Sequence, residues 1–387
     1  MSNRKPDILF IASWYPTSYK PFNGDFIQRH ARAVAGFCNV TVIHVDSAEQ
    51  KEPFVVHDRQ NEKVREIIVF HKKIKEGWGV LRPLLNLYKK LSAFKLALRK
   101  AGKPDAAHLN VLFPGAVFAL YLKWKHNVPF IVTEHWTKFL PSSKASFGFL
   151  EKRIIKTAVS AAGYVCPVSK DLMNNMVKQG FKGNYKVIPN VVDTNVFYPD
   201  FGNREETDTF RYIHVSGMLD KHKNISGMLR AFINAYSRQP DIRLTFVGGD
   251  DVEKYRKIVK DAGIPEGVIT FAGVVPYAKV AEYLRRHDAL LMFSNYENLP
   301  CVISEALVCG LPVLSSNVGG IAEMLNDSNG ILVEKQNENE LADKIVYMAK
   351  NRHLYDKKSI ADEAKNVYSY DAVGKQYSEL YRQILRR

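Results

Sequence analysis

Two glutamates stand eight residues apart in Phe293–Gly320, whose sequence is FSNYENLPCVISEALVCGLPVLSSNVGG. Glu297 follows the apolar, strand-like run Ala289–Phe293, and Glu305 lies in a helical pattern that begins near Pro300. Two carboxylates in such a setting fit three kinds of chemistry: a hydrolase pair, a metal site, or two acceptors for sugar hydroxyl groups. The rest of the sequence has to distinguish these alternatives.

The helix that contains Glu305 is expected to direct its N-terminal amides toward a ligand. Pro300 suits the first helical position and Gly310 suits the C-terminal cap, which predicts a helix over Pro300–Cys309. A helix N-terminus binds anions such as phosphate, and carboxylates beside a phosphate are tolerated if they accept hydrogen bonds from hydroxyls. One glutamate would then hold a ribose and the other a sugar. A pair of glycosidase carboxylates would not need a helix N-terminus that binds phosphate. No DxD or His-rich spacing accompanies the pair, so we expect no essential metal ion.

Further residues suit phosphate binding at strand-to-helix junctions. A predicted strand ends at Ser216-Gly217, and a helix is predicted from near Asn224, with Lys223 directly before it. A cation at that position could meet a phosphate together with free backbone N–H groups, and the same holds for Lys221. The alternative for either lysine is a solvated side chain. Gly24, which precedes a predicted helix, could let the backbone approach a phosphate or could be an ordinary loop glycine.

Short apolar runs alternate with helical patterns in both halves of the chain, which indicates two doubly wound parallel sheets. The polar stretch 198–208 lies between the halves and is predicted to be a linker. We therefore expect an α/β protein of two Rossmann-like domains that face each other across a cleft. The predicted strands are Ile8–Ala12, Val40–Val45, Ile67–Phe70, Ala106–Leu109, Phe130–Thr133, Tyr164–Val168, Tyr212–Val215, Arg243–Val247, Val268–Phe271, Ala289–Phe293 and Pro312–Ser315.

Composition limits the class of protein. A chain of 387 residues suggests two domains, and no apolar run reaches the length of about 18 residues that a membrane span needs. The four cysteines show no CxxC spacing, and the N-terminal apolar run is too short for a signal peptide. We expect a cytoplasmic protein without disulfides or a zinc site.

The positive charge is confined to the first half. Residues 1–200 carry 30 Lys and Arg against 15 Asp and Glu, whereas residues 201–387 carry 25 of each. Residues 72–103 and 138–156 combine basic side chains with leucines and aromatics, a pattern of basic amphipathic helices that lie on anionic membranes. Such contact would place the protein at the inner face of the plasma membrane. A core-facing helix with a solvated lysine face is the alternative, and no motif supports nucleic-acid binding.

The motifs together resemble the retaining glycosyltransferases of family 4, which have the GT-B fold. The resemblance rests on Glu297 and Glu305 as an E-x7-E motif with the segment EALVCGLPVLSSNVGGIAEML, on VIPNVVDTNVF at 187–197, and on VITFAGVV at 268–275. DAAHLNVLFPG and PFIVTEHW in the first half also fit. The resemblance covers essentially the whole chain. It implies a first domain over 1–198 that binds the acceptor. A second domain over 209–367 would bind the nucleotide sugar, and a helix over 368–387 would return toward the first.

The resemblance also implies roles for individual residues. Glu297 would contact the donor sugar, Glu305 the ribose diol, and Lys223 the pyrophosphate. His135 would be the active-site histidine near the transferred sugar, and Gly24 would lie beside the pyrophosphate. The backbone of Asn298 and Leu299 would line the sugar and the pyrophosphate. The loops at Gly217 and Gly273 would also contact the donor. Met218 stands where the family usually has arginine, and Lys221 or His222 is a candidate to replace its charge, unless the phosphate charge is balanced otherwise.

The activity implied is metal-independent, retaining transfer of a hexose by a peripheral membrane enzyme of bacterial surface-polysaccharide biosynthesis. The donor would be a UDP- or GDP-sugar, the acceptor a glycan or lipid-linked molecule, and no cofactor is expected. Two alternatives remain open at this point. One is a nucleotide-sugar 2-epimerase or a phosphorylase of the same fold, and the other is a non-catalytic nucleotide-sugar-binding protein. Incubation with donor and acceptor separates them, because the products are transferred sugar, isomerised donor, or nothing.

Overall fold

The chain forms two compact units, each built on one sheet. The computed structural model describes residues 4–74, 82–141, 143, 146–202, 208–249 and 251–386. The first unit comprises Met1–Val191 and Tyr370–Arg387, and the second comprises Val192–Ser369. Both are Rossmann-like α/β domains, as the sequence predicts.

The first unit contains seven strands in its described part. They are β1 (Asp7–Ala12), β2 (Asn39–Ala48), β3 (Phe54–Asn61), β4 (Val64–Lys72), β5 (Ala106–Asn110), β6 (Phe130–Glu134) and β7 (Tyr164–Pro167). Their order is β3-β4-β2-β1-β5-β6-β7, and only β3 is antiparallel to its neighbour among these described strands. The sequence prediction missed β3, because most of its side chains are exposed or half-buried and it lacks an apolar run.

The helices of the first unit connect these strands and cover the sheet. Its helices up to residue 191 are α1 (Asp25–Ala35), α2 (Arg82–Ala101), α3 (Leu112–His126), α4 (Phe149–Ala161) and α5 (Lys170–Lys178), with a 3₁₀ turn at Thr137–Phe139. Helix α1 begins directly after Gly24, as predicted, and its apolar residues recur at helical spacing and face the core.

The second unit contains six parallel strands within its described residues, in the order β10-β9-β8-β11-β12-β13. They are β8 (Phe210–Val215), β9 (Ile242–Val247), β10 (Ile269–Phe271), β11 (Ala289–Leu291), β12 (Val313–Ser316) and β13 (Gly330–Val333). The helices are α6 (Asp220–Lys223), α7 (Ile225–Arg238), α8 (Glu253–Asp261), α9 (Tyr277–Arg285), α10 (Cys301–Val308), α11 (Glu338–Lys350) and α12 (Lys357–Tyr368), with 3₁₀ turns at Gly319–Glu323 and Arg352–Leu354.

The last helix, α13 (Tyr370–Leu385), belongs to the first unit although it follows the second in sequence. It packs closely on α1: a Cβ added at Gly374 would lie 2.3 Å from the Ala33 carbonyl oxygen. Its buried Tyr381 hydroxyl lies 2.6 Å from Nδ1 of His108 in β5. The helix is therefore part of the core of the first unit.

The two basic stretches have different structures. Within 72–103, α2 begins at Arg82, and residues 75–81 lie outside the described residues. Within 138–156, Thr137–Phe139 form a 3₁₀ turn and α4 begins only at Phe149, so the predicted helical pattern does not extend over the whole stretch. Lys138 there forms an ion pair with Glu151 (2.7 Å).

No helix in the described part of the chain is long and apolar enough to cross a membrane. The predicted linker 198–208 falls partly outside the described residues, since 203–207 are not included.

Candidate active site

The donor-site residues predicted in the second unit follow the carboxyl ends of its strands. Gly217 follows β8, Gly273 follows β10, and Glu297 follows β11. Since the strands are parallel, these loops lie at one edge of the sheet, where ligands of open α/β sheets bind.

Glu297 is held by two partners at this edge. Its Oε1 forms an ion pair with Nζ of Lys223 and accepts a hydrogen bond from Ser294 Oγ (2.7 Å). The carbonyl of Ser294 in turn accepts from Ser316 Oγ (2.7 Å) at the end of β12. The side chains of Glu297 and Lys223 are only 11% and 22% exposed. The structure thus brings together the two residues that the sequence assigns to sugar and pyrophosphate.

The meeting of Lys223 and Glu297 depends on contacts between α6 and the loop after β11. Asn295 donates from its backbone N–H to the His222 carbonyl (2.8 Å) and from Nδ2 to the Lys221 carbonyl (3.1 Å). Lys221 itself has an exposed side chain. Lys223 is the last residue of α6, and Asn224, with φ +47°, separates it from α7. These contacts fix the backbone on both sides of the ion pair.

Glu305 lies inside α10, as predicted, and is 5% exposed. Its Oε1 accepts a hydrogen bond from the hydroxyl of Tyr277 (3.1 Å), the first residue of α9. The helix begins at Cys301 with Pro300 as its N-cap, one residue later than predicted, because the backbone of Pro300 is extended. A buried carboxylate with a defined donor is suited to accept a further hydrogen bond from a diol.

Asn298 and Leu299 lie between the two glutamates and are nearly buried, at 9% and 7% exposure. The Asn298 carbonyl accepts a hydrogen bond from the N–H of Gly320 (2.8 Å). This bond ties the loop after β11 to the loop after β12.

The loop after β8 is ordered by a buried histidine that sequence reasoning missed. Nδ1 of His214 lies 2.8 Å from the Leu291 carbonyl, and Nε2 lies 2.7 Å from Ser216 Oγ. Since the Leu291 carbonyl can only accept, Nδ1 carries the ring proton, and Nε2 therefore accepts from the Ser216 hydroxyl, whose oxygen also accepts from the N–H of Met218 (2.9 Å). Burial lowers the pKa of His214 to about 4, which keeps the ring neutral. The sequence feature that could have drawn attention to His214 is its position within an otherwise apolar predicted strand.

Gly217 and Gly273 have different surroundings. Gly217 is exposed and precedes Met218, which is buried with φ +53° and accepts a hydrogen bond at its carbonyl from Tyr255 (2.8 Å). Met218, which the resemblance sets against an arginine, therefore fills a packed position. Gly273 has φ +71°, and its carbonyl accepts from Gly248 N–H (2.7 Å).

Gly24 and His135 lie in the first unit, and Phe26 links them. Gly24 caps α1 with φ +73°, and a Cβ there would lie 2.5 Å from the carbonyl carbon of Trp14, so glycine is required for this contact. The ring of Phe26, two residues later, lies 4.4 Å from that of His135. Burial and the neighbouring His30 and His108 hold the pKa of His135 well below its usual range, whereas a hydrogen bond with Asn190 opposes that shift.

Glu134 is a second residue that sequence reasoning missed. Its fully buried carboxylate accepts backbone N–H bonds from Leu112, His135 and Trp136, each at 2.8 Å. Burial raises its pKa to about 7, and these hydrogen bonds limit the rise. Glu134 thus joins the loop after β5 to the backbone of His135. The sequence feature that could have drawn attention to Glu134 is its position as the one charged residue at the end of the apolar segment FIVTE.

Metal binding is not indicated by the described side chains, among which no group of three or more His, Cys, Asp or Glu residues could hold an ion. Metal independence of the reaction stays a prediction. The described site residues therefore form two sets, Gly24 and His135 in the first unit and the others at the sheet edge of the second.

Comparison with known proteins defines the class. The family model for glycosyl transferases group 1 matches residues 200–367, and that for glycosyltransferase family 4 matches residues 24–196. The chain is similar to the N-acetyl-alpha-D-glucosaminyl L-malate synthase of Bacillus anthracis, with 25% identity over 73% of this chain and 75% of the relative. It is also similar to the putative teichuronic acid biosynthesis glycosyltransferase TuaC of Bacillus subtilis, with 25% identity over 87% of this chain and 88% of the relative.

A solved structure supports the same assignment of fold. Anabaena Alr3699/HepE in complex with UDP and glucose matches 97% of this chain and 98% of its own, with a TM-score of 0.70 and 18% identity. The fold and the two matched domains define a glycosyltransferase of the GT-B fold. Within that class, the chain belongs to the glycosyltransferases of the family 4 type.

Proposed function

We propose that this protein is a retaining hexosyltransferase that uses a nucleoside diphosphate sugar, with UDP as the nucleotide. The acceptor is a glycan or a lipid-linked molecule in cell-surface polysaccharide assembly. The observation that carries the proposal is the ion pair between Lys223 and Glu297 at the carboxyl edge of the second sheet. A cation and a sugar-binding carboxylate at one point suit a ligand whose phosphate and hydroxyl groups are adjacent.

Each residue has a defined part in this proposal. Lys223 and the first amides of α10 stabilise the charge that develops on the leaving diphosphate, which is electrostatic catalysis. Glu297 accepts hydrogen bonds from the hydroxyls of the sugar, and Glu305 accepts them from the ribose diol. His135, in the first unit, is the proposed active-site histidine.

The transfer step conserves the configuration at the anomeric carbon. The bond from that carbon to the β-phosphate oxygen breaks, and the acceptor oxygen forms a bond on the same face. The acceptor proton passes to the leaving phosphate oxygen, so no protein nucleophile or metal is required. His135 is neutral at physiological pH, because its pKa lies well below the usual range, and it does not oppose a cationic transition state.

The relatives support the choice of donor and acceptor. HepE was solved with UDP and glucose, and TuaC is described as a putative enzyme of teichuronic acid biosynthesis. The excess of positive charge in residues 1–200 suits an acceptor at an anionic surface.

A thermal-shift panel of UDP, GDP, ADP and their common sugar conjugates, with EDTA present, tests the donor proposal. A ligand at 100 times its dissociation constant stabilises a protein by about 2.7 kcal/mol. Stabilisation by UDP and one UDP-sugar is the expected result. Stabilisation by GDP alone would contradict the choice of nucleotide, and dependence on added divalent metal would contradict metal independence. Incubation with donor and a lipid-linked acceptor then distinguishes transfer from isomerised donor, which would identify an epimerase.

A further inference from the structure

The segment 192–198, with which the second unit begins, is anchored to the helices of that unit. Its first residue, Val192, donates from its N–H to the carbonyl of Tyr368 at the end of α12 (2.8 Å). The N–H of Phe197 donates to the Asp193 carbonyl (2.9 Å), so the chain forms a turn within the segment. Phe197 is the last residue of the motif VIPNVVDTNVF and takes no part in the proposed donor contacts.

Phe197 is fully buried and packs against Tyr277, the first residue of α9. The ring centres are 4.9 Å apart with an interplanar angle of 64°, which is close to the edge-to-face arrangement that aromatic pairs favour. The hydroxyl of the same tyrosine donates to Oε1 of Glu305 (3.1 Å). The ring of Phe197 therefore restricts the rotamers from which the Tyr277 hydroxyl reaches Glu305.

Arg285 holds the residues on either side of this phenylalanine. Its Nη1 donates to the Val196 carbonyl (3.0 Å), and its guanidinium carbon lies 4.3 Å from the centre of the Tyr198 ring. Tyr277 and Arg285 are eight residues apart on α9, a spacing that places them on one face of the helix. Burial raises the pKa of the Cys309 thiol, at the end of α10, to about 12, and a hydrogen bond with the Tyr198 backbone opposes this rise. The segment thus contacts both the helix that begins with the tyrosine and the helix that carries the glutamate.

The orientation of the Glu305 carboxylate decides what it can bind. A carboxylate accepts hydrogen bonds along defined lone-pair directions, and the Tyr277 hydroxyl already occupies one of those on Oε1. We propose that Phe197 is a positioning residue of the ribose contact, which holds the Tyr277 ring so that its hydroxyl directs Glu305 toward the diol. This inference rests on the proposed function, in which Glu305 accepts hydrogen bonds from the ribose. A change at Phe197 should therefore affect the recognition of a ribose hydroxyl and not the binding of the whole nucleotide.

Calorimetric dissociation constants for UDP and 2′-deoxy-UDP test this proposal, because the two ligands differ only in one hydroxyl that Glu305 would hold. The wild type should prefer UDP about tenfold. Phe197→Leu should weaken UDP about threefold and leave 2′-deoxy-UDP within about 1.5-fold, so the preference falls to about threefold.

Phe232→Leu is the matched control. Phe232 is also fully buried in the second unit, and its ring lies 6.3 Å from that of Tyr212 at an angle of 82°. Both leucine variants should lower the melting temperature, but Phe232→Leu should keep the wild-type preference for UDP. Equal losses of preference in the two variants, or an unchanged preference in Phe197→Leu, would overturn the proposal.

A double-mutant cycle tests whether Phe197 acts through Tyr277. In the Tyr277→Phe background, where the hydroxyl is absent, Phe197→Leu should change the preference for UDP by less than about 1.5-fold. Fully additive effects of the two substitutions would contradict a positioning role and would assign Phe197 to general packing.

Arg285→Gln tests the same segment without a cavity in the core. It should reduce the preference for UDP about twofold, whereas Arg286→Gln, which removes the same charge at the exposed end of α9, should retain it. A failure of the proposed function gives a different result. Binding of GDP instead of UDP by the wild type would reassign the nucleotide, and GDP with 2′-deoxy-GDP would then decide on Phe197 in the same way. Equal binding of ribose and deoxyribose forms by the wild type would contradict the role of Glu305 and overturn the positioning role with it.

Discussion

Gly319 approaches the backbone of Glu297 so closely that no other residue fits at its position. A Cβ at Gly319 would lie 2.0 Å from the Glu297 carbonyl oxygen, and its φ is +56°. The following N–H, that of Gly320, donates to the Asn298 carbonyl. The two glycines after β12 therefore hold the loop that carries Glu297.

Replacing Gly319 with alanine should displace this loop. The added methyl group has to move backbone atoms, and a displacement of about 1 Å at a catalytic group can cost roughly a hundredfold in rate. We expect kcat of Gly319→Ala to fall by about that factor in a transfer assay. Gly263→Ala is the matched control, since Gly263 has φ +65° but no atom within 4 Å of its added Cβ. Similar turnover in the two variants would show that the contact with Glu297 is not needed.

Removal of the Tyr277 hydroxyl should weaken nucleotide binding through Glu305. The hydroxyl donates to Glu305 Oε1 (3.1 Å), and a hydrogen bond of this kind is worth about 1 kcal/mol. We expect Tyr277→Phe to bind UDP about fivefold more weakly by calorimetry, with Tyr283→Phe on the same helix unchanged. Unaltered UDP affinity in Tyr277→Phe would argue that the tyrosine does not position the carboxylate.

Acidification below pH 6.5 should lower the free energy of unfolding. Burial lowers the pKa of His30 and of His214 from 6.5 to about 4. Between these values the unfolded chain binds protons that the folded chain does not. The stabilisation is thus complete above pH 6.5 and is lost as the pH falls toward 4. Each histidine contributes about 3 kcal/mol to this loss.

Urea unfolding at a series of pH values measures this dependence. His214→Gln cannot take up the proton and should show a shallower decline between pH 6.5 and 4 than the wild type. His353→Gln, at an exposed position, should follow the wild type. Parallel curves for wild type and His214→Gln would mean that His214 does not contribute to the pH dependence.

The fold was predictable from sequence where burial gives a clear pattern. The apolar runs of β1, β5 and β6 lie in the centre of a sheet, and the period of α1 matches its buried face. Strand β3 escaped prediction because a half-exposed edge strand has no apolar run. The start of α4 at Phe149 was also missed, because composition shows basic and aromatic content but not where a helix begins.

The sequence points to candidate site residues but not to the contacts that support them. Glu297, Glu305 and Lys223 come from the motifs and the family resemblance, and the structure places Lys223 against Glu297. The contacts that hold them come from residues distant in sequence, such as Tyr277 for Glu305 and Ser316 for the loop of Glu297. Local patterns contain no information on such pairings, because the fold alone determines them.

The central claim is that Glu297 acts on the sugar and Glu305 on the ribose of one donor. Calorimetric dissociation constants for UDP and its preferred sugar conjugate, measured on Glu297→Gln and Glu305→Gln, test it most directly. Glu305→Gln should weaken both ligands by about tenfold. Glu297→Gln should bind UDP like the wild type, bind the conjugate more weakly, and lose transfer. Unchanged transfer in Glu297→Gln, or equal weakening of UDP and its conjugate in that variant, would contradict the account.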